Sequence, residues 1–216
     1  MTPRSVRKRR ERPQPDGTEL KWPGAEGKFA LFSETLLAGA LVLVLSLPLV
    51  TIPAAYAAGI AHLERHLSGR DDSVRGLWGT FKAALPGSWK LGIMTAAAAV
   101  VIVLNLLLAW VGQLPGREVV LPATLILAAG AAIVLLRSAA AWSDVAGAST
   151  DARTAWRSAL ETGQALSLKD WSGSLLLAAA LFGAVVFVWM LAALFVVVPG
   201  TLILAAAAVK LRAGRA

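Results

Sequence analysis

The chain has 216 residues, of which 57% are hydrophobic and only 16% are charged. Soluble domains average about 45–50% apolar and about 25% charged residues, so a water-soluble fold of this length could not cover so much apolar surface. The absence of cysteine excludes disulfides, thiolate metal sites and cysteine nucleophiles. This composition predicts an integral membrane protein.

The net charge of +8 is concentrated in an N-terminal tail and in short loops. Residues 1–28 contain prolines and a run of basic residues, namely Arg4, Arg7, Lys8, Arg9, Arg10 and Arg12. No aromatic residues interleave with this run, as a stacking platform for nucleic acid requires, so nucleic acid is not predicted as a partner. We expect residues 1–28 to form a disordered cytoplasmic tail that touches anionic lipid headgroups.

The first apolar segment runs from about residue 31 to residue 63, which is longer than the roughly 7–15 apolar residues of a signal peptide. It contains Pro48 and Pro53. Pro53 lacks the amide donor that a helix needs, while the Thr51 hydroxyl can bond to a carbonyl left free. We therefore predict that Thr51 to Ala55 is a break in the helix.

Two further apolar segments, Leu91 to Val111 and Leu121 to Trp142, are each long enough to cross a hydrocarbon core of about 30 Å. The turn between them carries Arg117 beside an acidic residue, whereas the loops at 63–90 and 137–173 hold more lysine and arginine. The positive-inside rule therefore predicts that both loops are cytoplasmic and that the turn is outside.

The last apolar segment, Ser174 to Val209, is divided by Pro199 and Gly200. If both basic ends of the chain are cytoplasmic, the first and last segments must each cross twice and turn at their prolines. The predicted fold is an all-α transmembrane helical bundle over residues 29–212, followed by a short C-terminal tail at 213–216. Four to six crossings are possible; six is preferred and five is the nearest alternative.

The two cytoplasmic loops resemble each other and indicate a weak internal repeat. Each contains Arg-x-x-Trp, formed by Arg75 and Trp78 in the first loop and by Arg153 and Trp156 in the second. In the first loop, apolar residues including Phe81 recur at helical spacing. We predict two cytoplasmic interfacial helices whose basic and aromatic side chains contact the lipid bilayer or a protein partner.

No catalytic or cofactor-binding group of residues stands out. His62 and His66 lie one helical turn apart, but they lack the HExxH order and an obvious third ligand, so we expect ordinary interfacial residues and no metal. No GxGxxG motif, phosphate loop or GxSxG elbow is present. The sequence therefore predicts a protein that is not an enzyme.

Three polar side chains fall within apolar segments. Asn105, near the middle of the second segment, is expected to form an interhelical hydrogen bond. Glu34 is expected to stay hydrated near the headgroups, and Arg137 to extend towards the cytoplasmic interface.

Residues 45–63, LSLPLVTIPAAYAAGIAHL, resemble the YesL-like family of bacterial membrane proteins, which have a similar Leu-Pro-x-x-Thr-x-Pro-Ala-x-x-Ala pattern near the end of their first helix. The following basic loop and aromatic helix, with Phe81 and Lys82, are similar to a Phe-Lys element of that family. Many members have an asparagine shortly after that lysine, where this chain has two alanines. The resemblance covers most of residues 28–212.

The resemblance implies a multi-pass protein of the bacterial inner membrane that is accessory to an ABC-type carbohydrate uptake system. Permease subunits of such a system would then be its partners. It implies no residue-level activity and no cofactor. The alternative is a small transporter or channel in its own right, which the proline-broken helices and the weak repeat favour.

Overall fold

The computed structural model describes residues 25–70, 73–112, 116–149, 151–190 and 197–213. These residues form the helices α1 Ala25–Leu45, α2 Ile52–Leu67, α3 Val74–Trp110, α4 Arg117–Ala146, α5 Ala152–Lys169, α6 Trp171–Met190 and α7 Val198–Ala213. They contain no strand, so the predicted all-α fold is confirmed for this part of the chain. Residues 1–24 of the predicted N-terminal tail and residues 214–216 of the C-terminal tail lie outside the described residues.

Three of the helices, α3, α4 and α6, are long and apolar enough to span a membrane. Only 6%, 6% and 17% of the residues in their most apolar stretches are buried, so their large apolar side chains face outwards. Exposed tryptophans lie near both ends of the apolar part of two of these helices: Trp89 and Trp110 on α3, and Trp171 and Trp189 on α6. The first pair is about 32 Å apart along the helix and the second about 27 Å, close to the thickness of a bilayer core. The chain is therefore a helical membrane protein.

The other apolar helices are shorter. The apolar part of α1 is Leu31–Leu45, and α2 and α7 contain 16 residues each, which is about 24 Å of helix. The six crossings remain a prediction, because among the described residues α3, α4 and α6 alone are both long enough and apolar enough for a complete span.

The centre of the bundle is α2, which packs against α1, α3, α4 and α7. Small residues permit this close packing: Gly59 of α2 lies against Val42 of α1 and Ile203 of α7. The backbones of α1 and α7 meet at Gly39 and Gly200, where a Cβ atom on Gly39 would lie 2.6 Å from the Gly200 Cα. The core therefore depends on alanine and glycine more than on large side chains.

The first apolar segment is broken as predicted, but slightly earlier. Helix α1 ends at Leu45, a single 3-10 turn occupies Leu49–Thr51, and α2 then begins. The Thr51 hydroxyl donates to the carbonyls of Leu45 at 2.5 Å and of Pro48 at 3.1 Å, as expected for carbonyls left free at a helix end. Pro53 lies in the first turn of α2, where its missing N–H group has little cost. The break therefore covers residues 46–51 rather than 51–55.

The predicted turn in the last apolar segment is not at Pro199 and Gly200, and residues 191–196 before it lie outside the described residues. Pro199 and Gly200 were predicted to form the turn, but both lie in the first turn of α7. The close packing of α7 on α1 requires glycine at position 200, since a Cβ atom there would lie 2.6 Å from the Thr35 carbonyl oxygen of α1.

One of the two predicted interfacial helices is not a separate element. Asp170 separates α5 from α6, whereas α3 continues without a break from the loop region after α2 into its apolar stretch, with Pro86 inside the helix. Packing supports α3 on both sides of this proline, because Ala84 and Ser88 are buried and Gly87 lies against the backbone of Ala152.

Candidate functional site

Ion-paired side chains gather at one end of the bundle. There α2, α4 and α7 end, and α3 and α6 begin, so loops and helix ends supply the charged residues. We call this the charged end, defined by Glu64, Arg137, Asp144, Asp170, Lys210 and Arg212.

Lys210 of α7 joins three helices at the charged end. Its Nζ atom lies 2.8 Å from Glu64 Oε2 on α2, 2.9 Å from Ser143 Oγ and 3.0 Å from Asp144 Oδ1 on α4. The first two contacts are hydrogen bonds and the third is an ion pair, so two carboxylates and one hydroxyl surround this ammonium group. None of these pairs forms a local motif in the sequence, since 146 residues separate Glu64 from Lys210.

Arg137 of α4 reaches Asp170 at the charged end, and that this end is the cytoplasmic interface stays a prediction. Its side chain is only 5% exposed, because Asp170 holds it against the start of α6. Its Nη2 atom donates to the Asp170 carbonyl oxygen at 3.0 Å, to Asp170 Oδ2 at 3.2 Å and to Ser174 Oγ at 3.2 Å. The Nε atom of Arg137 has no hydrogen-bond partner among the described residues.

Asp170 is the carboxylate that connects α5, α6 and α7. The Gly173 amide and the Ser172 hydroxyl each donate to its Oδ1 atom at 3.0 Å, and Arg212 Nη2 lies 3.3 Å from the same atom. The pKa of Asp170 is lowered below its ordinary value. The largest cause is the hydrogen bond from the Gly173 amide, and the hydrogen bond from Ser172 and the interaction with Arg137 add to it. Asp170 therefore stays ionised under mildly acidic conditions.

A cavity of about 430 Å³ opens beside these charges, between α2, α4, α5, α6 and α7. Four charged side chains line it: Glu64, Arg137, Asp144 and Lys210. Most of the remaining wall is aliphatic and includes Leu136, Ala140, Leu166, Leu177, Ala206 and Val209. This size and lining are typical of a site for a small organic molecule.

A polar contact between α1 and α2 lies within the bundle, and the sequence alone did not predict it. His62 of α2 is completely buried, and its Nε2 atom lies 2.5 Å from Oε1 of Glu34 on α1. Its Nδ1 atom has no partner among the described residues. The expectation that His62 is an interfacial residue is therefore wrong. Within the described part of the chain, no three histidine or acidic residues are placed to hold a metal ion.

The predicted aromatic and basic surface is only partly exposed. Trp78 is 47% exposed, stacks on Phe81 with a centroid distance of 5.5 Å, and has Lys82 Nζ at 5.7 Å from its ring centroid. Arg75 and Arg153 are also exposed.

Phe81 and Trp156 do not belong to that surface, since they are only 6% and 2% exposed. The prediction of an exposed position is wrong for both, because α5 packs against α3 and α4 and turns its apolar face towards the protein. Trp156 donates from Nε1 to the Ala84 carbonyl at 2.9 Å and packs 6.0 Å from the Trp142 ring.

Asn105 lies in the apolar half of α3 and is partly exposed. Among the described residues no side chain or carbonyl forms a hydrogen bond with its amide, so the expected interhelical bond is not found there. Asn105 therefore contributes no identified contact to the fold.

No protein-family model matches this sequence, and neither a curated protein nor a solved structure matches it. The resemblance to the YesL-like family thus remains a prediction from the residues quoted above.

Proposed function

We propose that this chain is a non-enzymatic, multi-pass protein of the bacterial inner membrane that acts as an accessory subunit beside the permeases of an ABC-type carbohydrate uptake system. The observation that supports docking is the exposed aromatic and basic patch on α3, formed by Arg75, Trp78 and Lys82. The class of partner follows from the family resemblance alone.

In this proposal the charged end faces the cytoplasm. Exposed basic residues cluster at that end of the bundle, and these are Arg70, Arg75, Lys82, Lys90, Arg153, Arg157, Lys169 and Arg212. At the opposite end, the turn before α4 has Arg117 next to Glu118, which offsets its charge. Reporter fusions at either end of the chain should give cytoplasmic signals. A periplasmic signal from either end would contradict this orientation.

Trp78 is well suited to be an interface anchor. Stacking on the buried Phe81 ring fixes its position, and Lys82 lies over the same ring, so little side-chain freedom remains to be lost on binding. Tryptophan and arginine are the residues that most often carry binding energy at protein interfaces. Arg75 lies three residues before Trp78 on the same exposed part of α3.

The test is recovery of the permease subunits when the tagged chain is purified from its native host in a mild detergent. Trp78→Ala should reduce the recovered permeases several-fold without changing the amount of tagged protein in the membrane. Trp110→Ala is the matched control, because Trp110 is 89% exposed at the opposite end of α3. Unchanged permease recovery with Trp78→Ala, or equal losses with both variants, would contradict the proposal.

A small transporter or channel is the second candidate, and the Glu34–His62 pair is the observation that favours it. Ionisable groups buried between helices of a membrane protein often mark ion or substrate pathways. The purified chain should then move labelled sugar into liposomes at a rate well above that of protein-free liposomes. Such transport, abolished by His62→Gln, would replace the accessory proposal.

A further inference from the structure

The cavity at the charged end combines an aliphatic wall with charged groups in one compartment. Leu136, Leu166, Leu177 and Val209 supply apolar surface, and Arg137 lines the same space. Small-molecule sites are mostly apolar with a few polar groups that fix orientation, and their volumes are about 300–1,000 Å³. The cavity, at about 430 Å³, falls in this range.

The hydrogen bonds around the cavity indicate the charge of a ligand. Lys210 donates hydrogen bonds to Glu64 and Ser143 and forms an ion pair with Asp144, so its single charge is already engaged by two carboxylates that line the cavity. Arg137 differs, because its hydrogen bonds all come from Nη2 and its Nε atom has no partner among the described residues. Arg137 is also 95% buried, and a buried guanidinium with unused donors favours an acceptor group, above all an anion.

The position of the cavity indicates where such a ligand comes from. Arg137 is bonded to Asp170, and the next residue is Trp171, which is 73% exposed at the start of a membrane-spanning helix. Exposed tryptophans at the ends of spanning helices lie at headgroup depth. The cavity is therefore beside the boundary between headgroups and acyl chains.

We propose that this cavity binds an amphiphile that has an anionic phosphate or carboxylate head and an alkyl chain. The head accepts hydrogen bonds from Arg137, and the chain lies along Leu136, Leu177 and Val209. Both a membrane phospholipid and a free fatty acid have this chemistry. The site is separate from the proposed docking patch, since neither Trp78 nor Lys82 lines the cavity.

The test is native mass spectrometry of the full chain, purified and stripped of lipid in an uncharged detergent. Phosphatidylglycerol, laurate and inorganic phosphate are added in separate titrations. We expect one molecule of phosphatidylglycerol or laurate to bind per chain, and the tighter of the two identifies the source. Inorganic phosphate, which lacks the chain, should bind at least tenfold more weakly. Equal binding of inorganic phosphate, or no bound amphiphile, would overturn the proposal.

Two variants and a control assign the binding to this cavity. Arg137→Gln should weaken binding about tenfold, the usual loss for a hydrogen bond to a charged group. Ala140→Leu adds volume to the apolar wall of the cavity and replaces no charged residue, so it should weaken binding even if Arg137→Gln fails to fold. Arg157→Gln removes the same charge from an exposed position on α5 and should bind like the unaltered chain. Unchanged binding in Ala140→Leu would overturn the proposal.

Discussion

Replacing Trp156 by alanine should destabilise the bundle far more than replacing Trp78. The Trp156 ring is 2% exposed, contacts Trp142 and donates a hydrogen bond to the Ala84 carbonyl, so its removal leaves a cavity where α3, α4 and α5 meet. Substitutions of this kind cost about 3–5 kcal/mol in protein cores. Trp78 is 47% exposed, and its loss should cost about 1 kcal/mol.

The free energy of unfolding can be measured by titrating sodium dodecyl sulfate into mixed micelles and following tryptophan fluorescence. Each variant keeps seven of the eight tryptophans, so enough fluorescence remains to follow unfolding in both. Trp156→Phe is the control, since it keeps most of the packing and removes mainly the hydrogen bond, at a cost of about 1–2 kcal/mol. Equal destabilisation by Trp156→Ala and Trp78→Ala would refute the assignment of Trp156 to the core.

Two further predictions concern the bundle. Gly39→Ala should lower the free energy of unfolding by about 1–3 kcal/mol, because the new Cβ atom would meet the Gly200 backbone, which cannot move aside as a flexible side chain can. The control is Gly183→Ala, where nothing lies within 4 Å of the new Cβ atom; it should be neutral or stabilising in the same unfolding titration. Because its neighbours lower the pKa of Asp170, this group stabilises the fold above its ordinary pKa of about 4 and loses that effect as pH falls through the lowered value. The stability difference between the unaltered chain and Asp170→Asn should thus shrink between about pH 6 and about pH 3 in the same unfolding titration. A difference that stays constant over this range would contradict this reasoning.

The membrane helices were the part of the fold most readily predicted, since each is marked by an unbroken apolar stretch. The break before α2 was also predicted, because Pro48 and Pro53 remove donors and Thr51 can replace one. Its position shifted by a few residues because a proline is well tolerated in the first helical turn, so Pro53 could belong to α2 itself.

The burial of aromatic residues was harder to predict. Phe81 and Trp156 have the helical spacing of an amphipathic face, and this spacing is the same whether the face meets lipid or another helix. Only tertiary packing decides between the two, and the contact of α5 with α3 and α4 was not visible in the sequence.

The polar contacts depend on pairing between distant residues. Glu34 and His62 are 28 residues apart, and Arg137 and Asp170 are 33 apart, so neither pair forms a local motif. A buried cation needs a counter-charge, which is the physical signal that could have linked Arg137 to an acid at the start of α6. The sequence offers several acidic residues as the partner of Arg137, and the correct one could not be chosen without the fold.

The meeting of α1 and α7 has a consequence for how the protein is made. Gly39 contacts Gly200, and Glu64 binds Lys210, so residues synthesised early wait for partners that leave the ribosome more than a hundred residues later. Until α7 is synthesised, the surface of α1 around Gly39 and the Glu64 carboxylate lack these contacts. The incomplete bundle is thus the form most accessible to chaperones and membrane proteases. A substitution that prevents α7 from packing would leave the contact surfaces of α1 and α2 exposed in the same way.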